Sequence, residues 1–377
     1  MYINFWYPVA LSSGVTAEKP LALRLLGLGF VAFRDSQGRA HVLADTCVHR
    51  GGSLSRGVLR DDCVVCPYHG WRYDGDGHCV RIPALGDDAK IPARAKVDSY
   101  PVEERYGLVF AFLGDLPAAE RPPLYDIPEF GKEGWRASEP EIIEIKAYYE
   151  RSVENGLDPA HNEFVHPSQG SPKTNPDVLR ERLAFTDWDW GGKFWIPFTE
   201  QHNWQTDLAS LRSTAAELGA GSGHHGPNTL ITWIHFSRQN AFHQYLFEAP
   251  VDEWHTRAFF INLRNCLLDP KYDSNTRTAN MTAIHEDRVI LEALHPVRSP
   301  DTNNKEILIP GDQAVTRYRA CLRQWESRGW RIDRKALRDT AGDVAWAIPC
   351  PARRESGNWV LDTVPLVKPS TSTGAPA

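Results

Sequence analysis

The sequence of 377 residues has no excess of basic side chains. Its 42 lysines and arginines are outnumbered by 48 aspartates and glutamates, which gives a net charge of -6. A protein that binds nucleic acid or an anionic membrane surface needs a concentrated positive field. Neither partner is therefore predicted.

Long apolar runs are also missing. The longest one, residues 21–33, is interrupted by Arg24, so it falls short of the roughly 18 residues that suggest a transmembrane helix. The first residues, MYINFWYPVA, have neither the charged n-region nor the long apolar h-region of a signal peptide. We therefore expect a cytoplasmic protein with no membrane partner.

A disulfide framework is not expected either, because the seven cysteines are an odd number and there is no secretory address. Four of them, Cys47, Cys63, Cys66 and Cys79, lie close together in the sequence. In such a protein a cysteine cluster indicates metal binding or simple burial.

The composition that is present, 42% hydrophobic and 24% charged, is that of a globular protein. In the first 115 residues short apolar runs alternate with turn sequences such as DGDG at residues 74–77, which predicts an all-β domain of short antiparallel strands. Prolines concentrated in residues 117–130 interrupt regular structure and predict a linker. The polar end, KPSTSTGAPA, predicts a flexible tail.

The pattern changes after the linker. Asp158-Pro159 predicts the start of a short helix that ends at His166. The glycine-rich residues 219–228 predict a flexible loop, and apolar spacing predicts an amphipathic helix at residues 314–326. Strands are predicted at residues 194–198, 229–236, 244–249 and 256–263.

Two Cys-His pairs stand in the all-β part. Cys47-Val48-His49 is followed by Cys66-Pro67-Tyr68-His69, and each pair precedes a glycine-containing turn. Two cysteines on one iron and two histidines on the other are the ligands of a Rieske 2Fe-2S centre. A zinc site is the alternative, because Cys63 and Cys66 have the spacing of a zinc knuckle.

The flanking residues favour the iron-sulfur interpretation. HRGG beginning at His49 and HGWRY beginning at His69 resemble the corresponding segments of Rieske domains. Cys63 and Cys79 are then interpreted as packing residues.

A second set of candidate metal ligands follows the predicted linker in the sequence. His161 and His166 supply the two imidazoles of a facial triad, in which two histidines and one carboxylate bind ferrous iron. Histidines at this spacing are also common in cores and on surfaces, and Asp158 has the alternative role of a helix N-cap. Iron is favoured because a Rieske cluster in the same chain needs an electron acceptor.

These features together resemble the Rieske non-haem iron oxygenases, in particular those with one type of subunit, such as carbazole dioxygenase, dicamba monooxygenase and the vanillate-type demethylases. The resemblance runs from NFWYPV near the start, through both ligand sets, to Glu286-Asp287. It implies that Asp287 is the third iron ligand, with Glu286 as the adjacent alternative. It also implies that Asp158 bridges the two metal centres for electron transfer. His224 and His225 are not expected to bind metal, because they lie in the predicted loop.

The implied architecture is α+β, with an all-β Rieske 2Fe-2S domain followed by a START-like helix-grip catalytic domain. We predict the Rieske domain at residues 1–116, the linker at 117–130, the catalytic domain at 131–366 and the tail at 367–377.

The resemblance further implies one 2Fe-2S cluster and one Fe(II) per subunit, O2 as cosubstrate, and electrons from NAD(P)H through a partner reductase or ferredoxin. It favours a homotrimer that monooxygenates a small aromatic or polycyclic compound, by O- or N-demethylation or by hydroxylation, in aromatic compound catabolism. Angular or cis-dihydroxylation is the second hypothesis. A Rieske electron carrier without oxygenase activity is the hypothesis of another class, and it would hold about two irons per chain instead of about three.

Overall fold

The computed structural model describes residues 1–86, 89–166, 177, 179, 183–197, 219–237 and 239–368. The chain forms two compact units. The first contains Met1–Pro123 together with the chain from Arg323 onward, and the second contains Leu124–Leu322. Among the described residues, none of the helices combines the length and apolar character that a membrane span requires.

The first unit is built from short antiparallel strands, as predicted. Its first eleven strands are β1 (Phe5–Leu11), β2 (Leu21–Leu25), β3 (Leu28–Arg34), β4 (Ala40–Ala44), β5 (Val58–Arg60), β6 (Cys63–Val65), β7 (Arg72–Tyr73), β8 (Cys79–Arg81), β9 (Ser99–Tyr100), β10 (Val102–Arg105) and β11 (Leu108–Leu113). They form three sheets, with the orders β1-β11-β10, β2-β3-β4-β9 and β5-β6-β7-β8.

The interior of this unit lies between the two four-stranded sheets. Phe33 and Leu43 of one sheet share a core with Val64 and Tyr73 of the other. Cys79 belongs to the same core, and Cys63 is also buried, so both have the packing environment expected from the sequence.

The second unit contains one large antiparallel sheet. Its strands are β12 (Arg136–Ala137), β13 (Glu141–Ile145), β14 (Ala184–Trp188), β15 (Gly191–Pro197), β16 (Gly219–His225), β17 (Thr229–His235), β18 (Ala241–Pro250) and β19 (Thr256–Arg264). The order is β12-β19-β18-β17-β16-β15-β14, and β13 also pairs with β19. The four strands predicted here correspond to β15, β17, β18 and β19, while residue 198 lies outside the described residues.

The prediction of a loop at residues 219–228 is wrong for the first seven of these residues, because they form β16. Gly219, Gly221 and Gly223 alternate along the strand, so they face the same side of the sheet. A Cβ at Gly219 or Gly221 would collide with the ring of Trp195 on β15. The glycines therefore allow a close approach inside a sheet, a requirement that their turn-like composition does not reveal.

Helices of the second unit pack on its sheet, and further helices follow this unit along the chain. Those with defined bounds in the described residues are α1 (Tyr149–Gly156), α2 (Asn162–Val165), α3 (Asp273–Leu291), α4 (Gln313–Ser327), α5 (Arg334–Asp339) and α6 (Ala352–Glu355). Leu291 and Ile284 of α3 pack on Ile143 and Phe260 of the sheet. A long helix against an antiparallel sheet agrees with a helix-grip fold, and α4 confirms the predicted amphipathic helix.

The helix predicted at residues 158–166 is shorter in the structure, because α2 begins only at Asn162. Oδ1 of Asp158 accepts a hydrogen bond from the Ala160 backbone N–H at 2.7 Å. This short-range turn satisfies the aspartate without a helix, so Asp158 is not the N-cap of a helix beginning at Pro159.

The chain from Arg323 onward packs with the first unit, which differs from the predicted catalytic domain of residues 131–366. Trp325 packs edge-on against Phe5 with ring centroids 4.8 Å apart. Arg353 forms two hydrogen bonds, of 2.6 and 2.8 Å, with the fully buried Asp98. This segment also contains the parallel pair β20 (Trp346–Ala347) and β21 (Asp362–Thr363).

The change from the first to the second unit comes after Pro123, inside the predicted linker of residues 117–130. Most of the predicted tail, residues 369–377, lies outside the described residues.

Candidate metal centres and substrate cavity

The two Cys-His pairs lie in loops that have the same turn. The first loop follows β4 and the second follows β6. Gly51 N–H donates to the Cys47 carbonyl at 2.9 Å, and Gly70 N–H donates to the Cys66 carbonyl at 3.0 Å. Both glycines have φ near +70°, at 71° and 72°. Side chains disfavour this backbone conformation, which explains why the same Cys-His-Gly pattern occurs twice.

Thiols and imidazoles in this site lie at different depths. Cys47 and Cys66 are 1% and 2% exposed, whereas His49 and His69 are exposed at the surface. The two histidine rings have centroids 4.4 Å apart. A buried pair of thiols and an exposed pair of imidazoles match a two-iron cluster in which each iron has one kind of ligand.

The space around the thiols is compatible with a cluster. A Cβ on Gly52 would lie 2.9 Å from Cys66 Sγ, so only glycine leaves this space open. Burial raises the pKa of the Cys47 thiol, and the nearby Cys66 raises it further. Two buried thiolates therefore need a positive partner, which bound iron supplies by displacing their protons.

The zinc alternative requires four ligand atoms around one ion. In the described part of the chain, a single group of three or more His, Cys, Asp or Glu ligand atoms lies within 4.8 Å of one another, and it contains no cysteine. The ligand atoms of the Cys-His loops are thus too widely spread for a single zinc ion, which favours the two-iron cluster.

Tyr73 is a residue of this site that the sequence analysis did not identify. Its hydroxyl lies 3.2 Å from Cys47 Sγ. Burial raises the pKa of Tyr73, so the phenol keeps its proton and can donate it in a hydrogen bond to a thiolate. Hydrogen bonds to ligand sulfurs tune the reduction potential of such clusters. The only signal was its place at the end of the HGWRY segment.

The second candidate centre is the one group of three ligand atoms noted above, formed by His161, His166 and Asp287. His161 immediately precedes α2, His166 immediately follows it, and Asp287 lies on α3. Asp287 Oδ1 is 3.5 Å from His161 Nε2 and 3.2 Å from His166 Nε2. Two imidazoles and one carboxylate oxygen thus converge as a facial triad requires.

Each ligand is oriented by a contact on its far side. His161 Nδ1 lies 2.5 Å from the Asp158 carbonyl, and His166 Nδ1 lies 2.9 Å from Glu286 Oε2. The Asn155 side chain donates to Asp287 Oδ1 at 2.9 Å. Such contacts fix the histidine tautomer so that Nε2 is free to bind the metal.

These contacts bear on the choice between Asp287 and Glu286. Glu286 contacts the far nitrogen of His166, while Asp287 faces both Nε2 atoms. Neighbouring residues on a helix point about 100° apart, so only one of the two can face the triad. Asn155 was missed as an orienting residue, because its role depends on a helix that is distant in sequence.

The electrostatics of the triad favour an ionised carboxylate. Burial acts to raise the pKa of Asp287, but hydrogen bonds from His161 and His166 outweigh burial and hold this pKa below its usual range. Burial likewise opposes protonation of His166, yet Asp287 and Glu286 together raise its pKa. A metal cation replaces these protons and is attracted by the same carboxylates.

Asp158 is half-buried beside the triad. In one detail its geometry differs from that expected of a residue that bridges the two metal centres. His161 contacts the backbone carbonyl of Asp158, not its carboxylate. The carboxylate accepts the Ala160 amide through Oδ1, and burial raises its pKa.

His224 and His225 were expected to lie in a loop without metal, but both lie on β16. His224 is buried, and burial lowers its pKa to about 4. Its ring packs edge-on against Tyr318 with centroids 4.9 Å apart. In the described residues neither histidine belongs to a group of three ligands, so His224 is a neutral packing residue.

A cavity of about 720 Å³ opens next to the triad, and all three ligands contribute to its wall. Its volume is in the range of sites that bind small organic molecules. The remaining wall is mainly apolar and comes from both the sheet and α3, and the apolar side chains of the sheet include Phe194, Leu230, Ile234, Phe242, Leu246 and Phe260.

Comparison with known proteins identifies the family. Residues 5–101 match the Rieske [2Fe-2S] domain, and residues 145–328 match the vanillate O-demethylase oxygenase C-terminal domain. The chain is 30% identical over 276 residues to the 4beta-methylsterol monooxygenase of Methylococcus capsulatus, an alignment that covers 69% of this chain and 68% of that protein. The chain belongs to the Rieske non-haem iron oxygenases.

Two further relatives are similar over greater lengths. The iron-sulfur subunit of the toluene-4-sulfonate monooxygenase system of Comamonas testosteroni is 27% identical over 360 residues, 90% of this chain and 98% of that one. Dicamba monooxygenase bound to 3,6 dichlorosalicylic acid superimposes with a TM-score of 0.69 at 26% identity, over 85% of this chain and 96% of that one.

As a Rieske oxygenase, the chain is an oxidoreductase and the terminal oxygenase component of its system, with a 2Fe-2S cluster and a mononuclear iron as cofactors. The predicted family, α+β fold class and cofactors are thereby confirmed. The roles of the individual site residues stay predictions.

Proposed function

We propose that this Rieske oxygenase monooxygenates a small aromatic or polycyclic compound, by O- or N-demethylation or by hydroxylation. The observation that carries the proposal is the triad of His161, His166 and Asp287 in the wall of a mainly apolar cavity of about 720 Å³. Such a cavity excludes water from the reacting bond and holds an apolar ring beside the metal. The match to a vanillate O-demethylase domain and the monooxygenase names of two relatives support this reaction type.

The protein would hold its cofactors through seven side chains. Cys47, His49, Cys66 and His69 would bind the 2Fe-2S cluster, and His161, His166 and Asp287 would bind the iron. When bound, the cluster supplies electrons one at a time and the ferrous ion supplies the site at which O2 is reduced.

The surrounding residues contribute orientation. Glu286 accepts a hydrogen bond from His166 Nδ1–H and Asn155 donates one to Asp287, so both keep the ligand atoms aimed at the metal position. Such contacts support metal affinity by roughly ten- to hundredfold in metalloproteins. The apolar wall binds the substrate ring by burial of apolar surface.

We further propose that the active form is a homotrimer in which Asp158 accepts a hydrogen bond from His69 of a second copy. Exposed apolar side chains support such an association: Phe164, which lies between the two triad histidines in the sequence, is 76% exposed, and Ile307 is 95% exposed. The His69 ring is exposed, and the Asp158 carboxylate is bonded to backbone N–H of its own turn, so both groups are able to bond across an interface.

The electron donor is inferred to be a reductase or ferredoxin that draws on NAD(P)H. A supply of electrons from NAD(P)H favours the cytoplasm as the location of the protein. The net charge of -6 gives no support to a nucleic-acid or membrane partner.

The test is turnover of purified enzyme with a surrogate reductase and labelled dioxygen against methoxylated, N-alkylated and fused-ring aromatics. We expect about three irons per chain and one labelled oxygen atom per turnover, carried by the formaldehyde released from a methoxy or N-methyl substrate or by the new hydroxyl group of a hydroxylated ring, while the second oxygen atom leaves as water. A cis-diol carrying two labelled atoms would show a dioxygenase instead. Electron transfer with about two irons per chain and no substrate oxidation would show a carrier.

A further inference from the structure

The mainly apolar cavity wall contains a bonded pair of amide side chains. Gln244 on β18 and Asn280 on α3 both line the cavity, and Gln244 Nε2 donates to Asn280 Oδ1 at 3.1 Å. On the same strand the residues on either side of Gln244 that face the cavity are Phe242 and Leu246. An amide pair in an apolar wall costs desolvation free energy unless its remaining groups also find partners.

The pair keeps one NH2 group and one C=O group for a ligand. Each amide has one C=O and one NH2 group, and the bond between the two residues uses one of these groups from each residue. If both amides were rotated, Asn280 would donate and Gln244 would accept, and one NH2 group and one C=O group would again remain. The complementary ligand group therefore both donates and accepts a hydrogen bond, as a hydroxyl or an amide does.

A third amide lies at the same place. Asn262 of β19 is directly opposite Gln244 in the strand register, so both side chains leave the sheet on the same face. Asn262 is fully buried, and neither its Oδ1 nor its Nδ2 has a hydrogen-bond partner in the described part of the chain. Buried amides are normally satisfied, but Asn262 is not among the residues that line the cavity, so the amide groups that face a ligand are those of Gln244 and Asn280.

The distance from this polar patch to the metal centre follows from α3. Asn280 and Asp287 are seven residues apart on this helix, and both line the cavity. Seven residues make almost two turns, so the side chains share a face and lie about 10 Å apart along the axis. A substrate that forms hydrogen bonds with the amides therefore has the bond that is oxidised about 10 Å from its own polar group.

The amide patch carries no formal charge. Arg288 is the one lysine or arginine among the described residues of the cavity wall, and it neighbours Asp287 instead of the amides. Its Nη2 lies 3.0 Å from His285 Nδ1 and its Nε lies 4.0 Å from a carboxylate oxygen of Glu292. An anionic group at the amides would lose hydration without gaining a cation.

We propose that Gln244 and Asn280, which both line the cavity, anchor the substrate through one uncharged hydroxyl or amide group, about 10 Å from the bond that is oxidised. This inference rests on the oxygenase function proposed above. The substrate class is then a neutral, rigid, mainly apolar compound of at least two rings.

Biphenyls provide a probe of suitable length. Each carries a methoxy group at one para position and hydrogen, hydroxyl or carboxylate at the other. Dissociation constants are measured by calorimetry with the holoenzyme, and formaldehyde release is measured separately. We expect the hydroxyl compound to bind the native enzyme about three- to tenfold more tightly than the hydrogen compound, as one or two net hydrogen bonds allow, and the carboxylate to bind most weakly.

The variants Gln244→Met and Asn280→Leu keep side-chain size and remove the amides, so each should bring the hydroxyl preference close to one. The matched control is Thr232→Val, at a cavity residue opposite Gln244 on β17, which should keep the preference. An unchanged preference in both amide variants would overturn the proposal.

The native enzyme decides the question even if the variants do not fold. Equal binding of the hydrogen and hydroxyl compounds, or tightest binding of the carboxylate, contradicts the anchor. Release of no formaldehyde from any probe would count against demethylation, whereas the ratio of dissociation constants tests the anchor independently.

Discussion

Replacing Glu248 with glutamine should make the stability of the protein less dependent on pH. Glu248 lies on β18 and is fully buried. Ser152 Oγ donates to its Oε1 at 2.6 Å, and its Oε2 has no hydrogen-bond partner in the described residues. Burial raises the pKa of Glu248 to about 8 from a usual value of 4.5, so at neutral pH the folded protein holds this carboxyl as the neutral acid.

The sign of the effect follows from proton binding. Below pH 4.5 the carboxyl is protonated in both the folded and the unfolded state and contributes no difference. Between 4.5 and about 8 the folded state binds one proton more, so the free energy of unfolding falls as pH rises. The slope from this group is about 1.4 kcal/mol per pH unit near pH 6 and about half as steep near pH 8, where half of the folded-state carboxyl groups are ionised, so the change between pH 6 and pH 8 amounts to about 2 kcal/mol.

The assay is the thermal midpoint of the native protein and of Glu248→Gln across this pH range. Relative to the variant, the native midpoint should fall by about 4–8 °C from pH 6 to pH 8, given a unit of about 200 residues. Glu144→Gln serves as the control, because this carboxylate is 57% exposed and pairs with Arg257 at the surface, so its replacement should leave the native pH dependence in place. Parallel curves for the native protein and Glu248→Gln would refute the reasoning.

Four further outcomes are expected. Cys47→Ser should abolish the low average g-value of the reduced cluster in electron paramagnetic resonance, and an unchanged spectrum would remove Cys47 from the ligand set. Tyr73→Phe should lower the reduction potential of the cluster measured by redox titration, because it removes the hydrogen bond to Cys47 Sγ, and an unshifted potential would contradict that bond. Asp287→Ala should lose about one iron in three, whereas Glu286→Ala should bind this iron only about ten- to hundredfold more weakly; the reverse result would exchange their roles. Asp158→Asn should keep both metals and normal cluster reduction but slow reoxidation of the cluster in stopped flow with substrate and O2, and native-rate reoxidation would defeat the bridge.

The sequence allowed prediction of ligands that lie close together along the chain. Cys47 with His49, and His161 with His166, are separated by a few residues, so a short loop or single helical turn must bring each pair together. Asp287 is different, because more than a hundred residues separate it from His166 and only resemblance to a family suggested it. The orienting contacts of Asn155 were missed for the same reason, since they depend on how α1 and α3 pack.

The incorrect fold predictions also have physical causes. Local composition predicted a loop at residues 219–228, but the ring of Trp195 uses the space that the glycines leave, and a strand forms. The predicted catalytic domain extended to residue 366, because nothing local in the sequence indicates that Arg353 pairs with Asp98. Both errors come from contacts between segments that are distant along the chain.

The ion pair between Asp98 and Arg353 affects the order in which the chain folds during synthesis. Asp98 is fully buried, and its partner Arg353 is synthesised 255 residues later. At about 5–20 residues per second, the ribosome needs roughly 10–50 s to cover this stretch. Until then Asp98 lacks the guanidinium that compensates the burial of its charge in the complete unit. The first unit therefore completes its folding only after the second unit has been translated, because its last segment follows the second unit along the chain.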